Sequence, residues 1–322
     1  MKNVAVLIKD KNFLHRYSRV LLAFCFLILF MGFNSIANDK FWSWRNFRSI
    51  IFAAFPLMLV AYGQTLVLLT RGIDVSLGAV VSLTNVVCVT LMKPAAAGGW
   101  IVAVLIALLT GVACGALNGF IIARFNLAPM IVTIAMTVVY SGLALYVMPM
   151  PTGSVHSTFG GFIRKSYFNI PAALILIIIF MLLVRTITNR TSFGRALRAV
   201  GGNEESAYST GIKVKWVKVK AYALAGLLAS IGGIFLAGYI NSGDPTIGGN
   251  YSLNAVAASV IGGTSLIGAR GDIIGTFIGV LILSMISNML NLNGVSSNYQ
   301  FLIEGFILVF ALAISSIKND TN

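Results

Sequence analysis

The chain has 322 residues, 58% of them hydrophobic and 10% charged, with a mean hydropathy of +0.91 and a formal net charge of +14. So few charges cannot cover a soluble globule of this length, which excludes a water-soluble domain and points to a bilayer. The basic residues lie between apolar runs rather than on one solvated face, so the charge speaks for membrane topology and not for nucleic acid.

Runs long enough for about 20 residues of helix occur near 20–37, 50–70, 75–92, 100–122, 128–148, 170–188, 219–239, 253–268, 272–290 and 299–316. They predict an all-α polytopic membrane protein of ten spans, folded as one transmembrane unit over 1–322 without a soluble domain. The eighth run carries GGTSLIG and is expected to be broken or re-entrant, which is allowed at membrane depth only where protein or a wet cavity satisfies the backbone. Gly-rich stretches such as GVACGALNG (111–119) and IGTFIGVLI (274–282) predict close helix packing. With both ends of the chain inside, the outer loops hold only Lys40, Arg45, Arg48, Lys93, Arg164 and Lys165 of the 23 Lys and Arg. The positive-inside rule therefore places both termini in the cytoplasm. Residues 1–19 followed by LLAFCFLILFMG and SIA also fit a long-headed signal peptide.

Cys25, Cys88 and Cys114 fall inside apolar runs without paired spacing and read as small buried hydrophobes. His15 and His156 stand alone, without the neighbours a metal site needs, and no metal is predicted. No G-x-x-x-x-G-K-[ST] phosphate loop is present, so ATP hydrolysis by that route must come from another subunit.

One polar stretch interrupts the apolar pattern: GRALRAVGGNEESAYSTGIKVKWVKVK, residues 194–220. Gly201 and Gly202 are expected to break the backbone. Asn203 is a good N-cap, and Glu204 and Glu205 suit the positive first turn of a helix. Gly211 supplies the stop. A helix of about two turns is marginal in water alone, so it needs a surface to dock against. Lys213, Lys215, Lys218 and Lys220, with Trp216, hold the next span at the membrane surface.

Four segments carry a family resemblance: TLVLLTRGIDVSLGAVVSLT (65–84), FGRALRAVGGNEESAYSTGIKV (193–214), IGGTSLIGARGDIIGTFIGVLIL (261–283) and GVSSNYQFLIEG (294–305). The chain resembles the permease subunits of bacterial ABC importers of the ribose, galactose and xylose type. That resemblance implies a multi-pass protein of the bacterial inner membrane. It also implies a permease dimer, with a homodimer favoured, and a periplasmic sugar-binding protein. The ATPase subunit is expected to have two fused nucleotide-binding domains and to hold the ATP and magnesium, with no cofactor in this chain. The segment within the loop 189–219 resembles a coupling helix received by the ATPase, a role that falls here to Gly201, Gly202, Asn203, Glu204, Glu205, Ala207 and Gly211. The chain itself is then a transport subunit and not an enzyme.

Asp74 in RGIDVSLG lies at the inner end of the third span, either as an N-cap with Arg71 nearby or as a second contact with the ATPase. Arg270 and Asp272 in GARGDIIG form a similar pair, and the likeness of RGID to RGDI marks a short internal repeat. A neutral sugar needs hydrogen-bond partners without an electrostatic trap. Gln64, Asn85, Asn118, Tyr140 and Asn288 are the candidates for its path, and each can equally bond across helices as a structural residue, worth about 1 kcal/mol or less. Members of the resembled family read E-L-D-A-I-A where this chain has SLNAVA, with Ser252 and Asn254. They carry Lys after Y-Q where it has Glu304. Both positions fall near the outer face, so an Asp–Lys pair would become Asn254 with Glu304, an amide in place of a charge.

Two rival functions set the contrast. A secondary transporter of a small polar solute calls for several intramembrane carboxylates, and only Glu304 sits inside a span. A membrane-embedded enzyme calls for paired carboxylates, a Ser-His pairing or metal ligands at helical spacing, and no span offers them. Neither rival needs a docking helix.

Overall fold

The computed structural model describes residues 38–300, apart from 93–97, 168–169 and 297–298, with scattered positions among 24–36 and 302–306. Its helices are α1 (Trp44–Leu68), α2 (Leu77–Leu91), α3 (Gly99–Phe125), α4 (Pro129–Val147), α5 (Ser157–Arg164), α6 (Ala172–Arg190), α7 (Ser192–Gly202), α8 (Glu204–Ser209), α9 (Val214–Ile240), α10 (Tyr251–Ile261) and α11 (Ile273–Leu292). A two-residue hairpin pairs β1 (Ser166–Tyr167) with β2 (Ile170–Pro171). Local chemistry sets the ends: Ser43 caps α1 through the Asn46 amide, and Pro129 opens α4 where its missing N–H costs nothing.

Six helices, α1, α3, α4, α6, α9 and α11, are long and apolar enough to cross a bilayer. The 15 residues of α2 and the 11 of α10 rise only about 22 and 16 Å, short of about 30 Å of hydrocarbon. The ten spans expected from hydropathy thus become six full-length and two short helices among the described residues, because turns consume part of two apolar runs. The run at 253–268 is a helix to Ile261 followed by turns, with Gly263 and Gly268 at φ of 90° and 91°. The expected first and last spans fall largely outside the described residues.

Helix α9 is the hub, packed on α1, α2 and α3. The approach to α3 rests on glycine: a Cβ on Gly111 would meet the Gly226 carbonyl, and one on Gly226 would meet the Gly111 carbonyl. On the second Gly-rich run, a Cβ on Gly279 would strike the Ala258 carbonyl. Helix α1 is almost wholly enclosed, whereas α3, α4 and α6 turn much of their apolar surface outward. Cys88 and Cys114 are buried, and Cys25 is exposed.

One offset runs through the fold. The step that carries residue 44, where α1 begins, to residue 214, where α9 begins, also carries the end of α2 at Leu91 to the end of α10 at Ile261. It carries Gly63 to Gly233, Asp74 to Asp244, Gly78 to Gly248 and Asn118 to Asn288. It matches backbone conformation too: Arg71 and Asn241 both take a left-handed φ, 63° and 58°, as do Gly98 and Gly268, 75° and 91°. The two copies run in opposite directions. Phe52 near the start of α1 stacks on Tyr239 near the end of α9, with centroids 5.0 Å apart, while Gly63 sits against Ala225. This is an inverted repeat, α1–α2–α3 against α9–α10–α11.

Candidate functional site

The polar stretch folds into two helices. Thr191 caps α7 through the Gly194 amide at 3.2 Å, and α7 buries Gly194, Leu197, Val200 and Gly201. Gly201 and Gly202 are the last residues of α7 and do not break the chain; the break falls at Asn203, whose φ of −158° leaves the helix. Asn203 Oδ1 then accepts from the Ser206 amide at 2.8 Å, and Glu204 and Glu205 occupy the first turn of α8. Gly211, at φ 85°, closes the unit. Helix α8 is therefore six residues long, shorter than the segment to Gly211, because the last turn winds back through Ile212 N to Ala207 O at 3.1 Å. Ala207 faces inward, while Glu205, Ser206 and Tyr208 are exposed. Glu204 is tied to Lys218 on α9 at 2.6 Å.

This unit is bolted to both repeats. Arg71 Nε donates to the Gly201 carbonyl at 2.6 Å, and its Nη2 donates to the Gly202 carbonyl, which satisfies the last carbonyls of α7. Ala269 N donates to Leu69 O at 3.2 Å, and Arg198 Nη1 donates to Gly271 O at 3.2 Å. A Cβ on Gly201 would collide with the Leu69 carbonyl and the Ala269 amide, so only glycine fits where three segments meet. Arg270 is exposed beside this junction. Asp272 caps α11 through the Ile274 and Gly275 amides, at 3.1 and 3.3 Å.

Asp74 lies three residues beyond Arg71 and is fully buried, so it offers no surface to a soluble partner, and it makes no ion pair with Arg71. Its Oδ1 accepts from the Ser76 amide and hydroxyl at 2.9 and 2.6 Å, while its Oδ2 has no partner among the described residues. Asn118 Nδ2 donates to Ser76 Oγ at 2.8 Å, and Asn118 Oδ1 accepts from Tyr140 Oη at 2.9 Å. Thr133 Oγ1 takes the Val75 amide at 3.2 Å and gives to the Ile73 carbonyl at 3.1 Å. Asn118 stands about 10 Å along α3 from its end at Phe125, so the turn reaches into the packed helices.

The same turn recurs at Asp244. Its Oδ1 accepts from the Thr246 amide and hydroxyl at 2.8 and 2.7 Å. The sequences D-V-S-L-G-A-V-V-S (74–82) and D-P-T-I-G-G-N-Y-S (244–252) share acid, hydroxyl, glycine and serine at the same places. The two turns meet. Gly78 N donates to Ser252 Oγ at 2.7 Å and Gly248 N donates to Ser82 Oγ at 2.9 Å. A Cβ on either glycine would strike the other's carbonyl. The short likeness of RGID to RGDI is thus not the principal repeat. The nine-residue pattern was present in the sequence, but its second copy lies between the seventh and eighth apolar runs, where a loop was expected.

The candidate path residues separate. Asn85 is spent on structure, giving to Gly233 O at 3.1 Å and accepting from Asp244 N at 2.8 Å. Asn118 and Tyr140 belong to the Asp74 network. Both amide atoms of Gln64, and Oδ1 of Asn288, are buried without partners among the described residues. Ser252 belongs to the crossing, Asn254 is half-buried on α10, and Glu304 lies outside the described residues. Among the described residues no three His, Cys, Asp or Glu side chains gather to hold a metal. The arrangement offers caps and paired turns.

Comparison with known proteins agrees with that character. The chain belongs to the family of permease components described as the branched-chain amino acid transport system / permease component, whose model matches residues 46–312. Among similar proteins, the Ribose import permease protein of Bacillus subtilis (strain 168) is 36% identical over 288 residues, covering 88% of this chain and 89% of the relative. The Ribose import permease protein of Escherichia coli (strain K12) is 35% identical over 297 residues, 91% and 92% of the two chains. The D-allose transport system permease protein of the same strain is 29% identical over 312 residues, 96% and 95%. No solved structure matches.

Proposed function

We propose that this chain is the membrane-spanning permease of an ATP-driven importer, forming the path for a monosaccharide that a periplasmic binding protein delivers. The similar proteins named for ribose and allose support a sugar as cargo. The observation that carries the coupling role is α8: a helix capped by Asn203 with an exposed outer face, tied to α9 by Lys218 and adjoining the end of α7, which Arg71 holds. A soluble ATPase that grips α8 moves Arg71, and through it the Asp74 turn three residues on.

In this reading the α7–α8 side faces the cytoplasm. The Lys and Arg of residues 185–220 gather there, as the positive-inside rule requires, and both termini lie on the same side. Two copies assemble through apolar helix surface that one copy leaves exposed. The ATPase has two fused nucleotide-binding domains and carries the ATP and magnesium.

The test is ATP-driven uptake of labelled ribose, allose and galactose into proteoliposomes holding permease, ATPase and binding protein. Glu204→Lys with Glu205→Lys is expected to abolish uptake while ATP hydrolysis continues. Normal uptake by that double variant removes the coupling role from α8.

A further inference from the structure

The two copies of the turn are alike in sequence and hydrogen bonding but not in how they are sealed. At Asp74, Ser76 Oγ gives its proton to Asp74 and accepts from Asn118 Nδ2, so the amide locks the turn down. Asn118 and Ser76 are both fully buried. At Asp244, Thr246 Oγ1 gives its proton to Asp244 in the same way, which leaves its lone pairs free to accept. The residue that the offset puts in Asn118's place is Asn288 on α11, and no bond joins it to Thr246. Asn288 is only 8% exposed, its Oδ1 has no partner among the described residues, and Thr246 is exposed.

A buried amide oxygen without a partner is unfavourable and calls for an explanation, and the repeat supplies one: a second arrangement that employs it. The other arrangement is already present in the molecule, around Asn118. Two copies of one unit, related by inversion and joined at Gly78 and Gly248, can exchange conformations at little net cost, because each takes up the packing the other gives up.

We infer that Asn118 and Asn288 are a pair of alternating latches: the structure shows the Asn118 latch shut over the Asp74 turn, and transport shuts Asn288 over the Asp244 turn while Asn118 releases. Asn288 is thereby a positioning residue, acting through Thr246. This rests on the transport reading above, and the crossing at Gly78 and Gly248 is the pivot. Release at Asn118 is driven from α8 through Arg71, whose left-handed backbone sits three residues before Asp74.

The experiment uses the assembled importer in proteoliposomes, with Cys25, Cys88 and Cys114 replaced by Ala and uptake by that background verified. If the unaltered chain takes up no sugar with all partners present, the transport reading itself fails. Reporters are Leu77→Cys and Ile247→Cys, equivalent positions that take no part in the latch bonds; Leu77 is buried and Ile247 half-buried. A small maleimide is expected to label the second and spare the first at rest. In the vanadate-trapped state the order reverses, each rate changing by about tenfold or more. Asn288→Ala is expected to keep the resting pattern, since its oxygen is unbonded there, but to lose the protection of Ile247→Cys in the trapped state and most of the uptake. Asn118→Ala is expected to expose Leu77→Cys at rest. Labelling that ignores the nucleotide state in an importer that still transports overturns the inference, as does an Asn288→Ala variant with full uptake and full protection.

Discussion

The half of the molecule around Asp74 and the half around Asp244 begin from the same nine-residue pattern and end differently. In the first, the groups that close the turn are engaged, Ser76 with Asp74 and Asn118, Asn118 with Tyr140, and Thr133 with the backbone, while Asp74 Oδ2 and the Tyr222 hydroxyl beside Gly72 have no partner among the described residues. In the second, Thr246 is exposed and Asn288 keeps an oxygen without a partner among the described residues. Equivalent residues can therefore do unequal work in one conformation. The local turn is set by its own sequence, whereas its sealing depends on helices contributed from elsewhere: α3 and α4 close over Asp74, and among the described residues no bond from α11 reaches the Asp244 turn.

The sharpest way to break this comparison is at the place where the halves touch. Gly78→Val and Gly248→Val each drive a side chain into the opposite carbonyl, with no flexible neighbour to yield. Each is expected to cost about 3 kcal/mol or more and to leave little folded permease, seen as loss of the monodisperse peak in size-exclusion chromatography. Equal damage from the two would show that the crossing is symmetric; a harmless Gly248→Val would remove one side of it.

A smaller effect sharpens the difference between the copies. Asn118→Ala strips Ser76 and Tyr140 of a partner and is expected to cost about 1–3 kcal/mol, visible as a lower thermal midpoint in detergent. The same change at Asn288 removes an amide whose oxygen is unbonded, and its midpoint should shift much less. Similar shifts at the two positions would mean that the copies are sealed alike.

The smallest effect concerns the link between α8 and α9. Glu204 is 42% exposed and Lys218 13%, and so partly exposed an ion pair is worth about 0.2–1 kcal/mol. Glu204→Lys is expected to barely move the thermal midpoint yet to lower uptake, and adding Lys218→Glu should restore part of it. If the double variant transports no better than the single one, the pair has no role in holding α8.

Much of this was legible in the residues. The apolar runs gave the helices, and Asn203, Glu204, Glu205 and Gly211 gave α8, because capping is decided within a few residues and needs no distant partner. The Gly-rich runs at 111–119 and 274–282 announced the close packing seen at Gly111 and Gly279, whereas Gly226 emerged only from the structure. The backbone break expected at Gly201 and Gly202 falls instead at Asn203; glycine stands at 201 for a tertiary reason, because the Leu69 carbonyl and Ala269 amide leave no room for a Cβ.

What the sequence determined by itself was therefore short-range: that the chain belongs in a bilayer, where its helices and caps fall, and which residue types stand at each turn. The tertiary structure alone decided that α2 is too short to cross, that the turns at Asp74 and Asp244 meet through Gly78 and Gly248, and that Arg71 joins α7 to the first of them. The physical reason is that burial in apolar surroundings follows from composition, while a hydrogen bond between residues such as Gly78 and Ser252 depends on which helices pack together. Uniformly apolar helix surfaces do not encode that choice in any periodicity; it is made by glycine contacts and buried polar partners that exist only once the chain has folded.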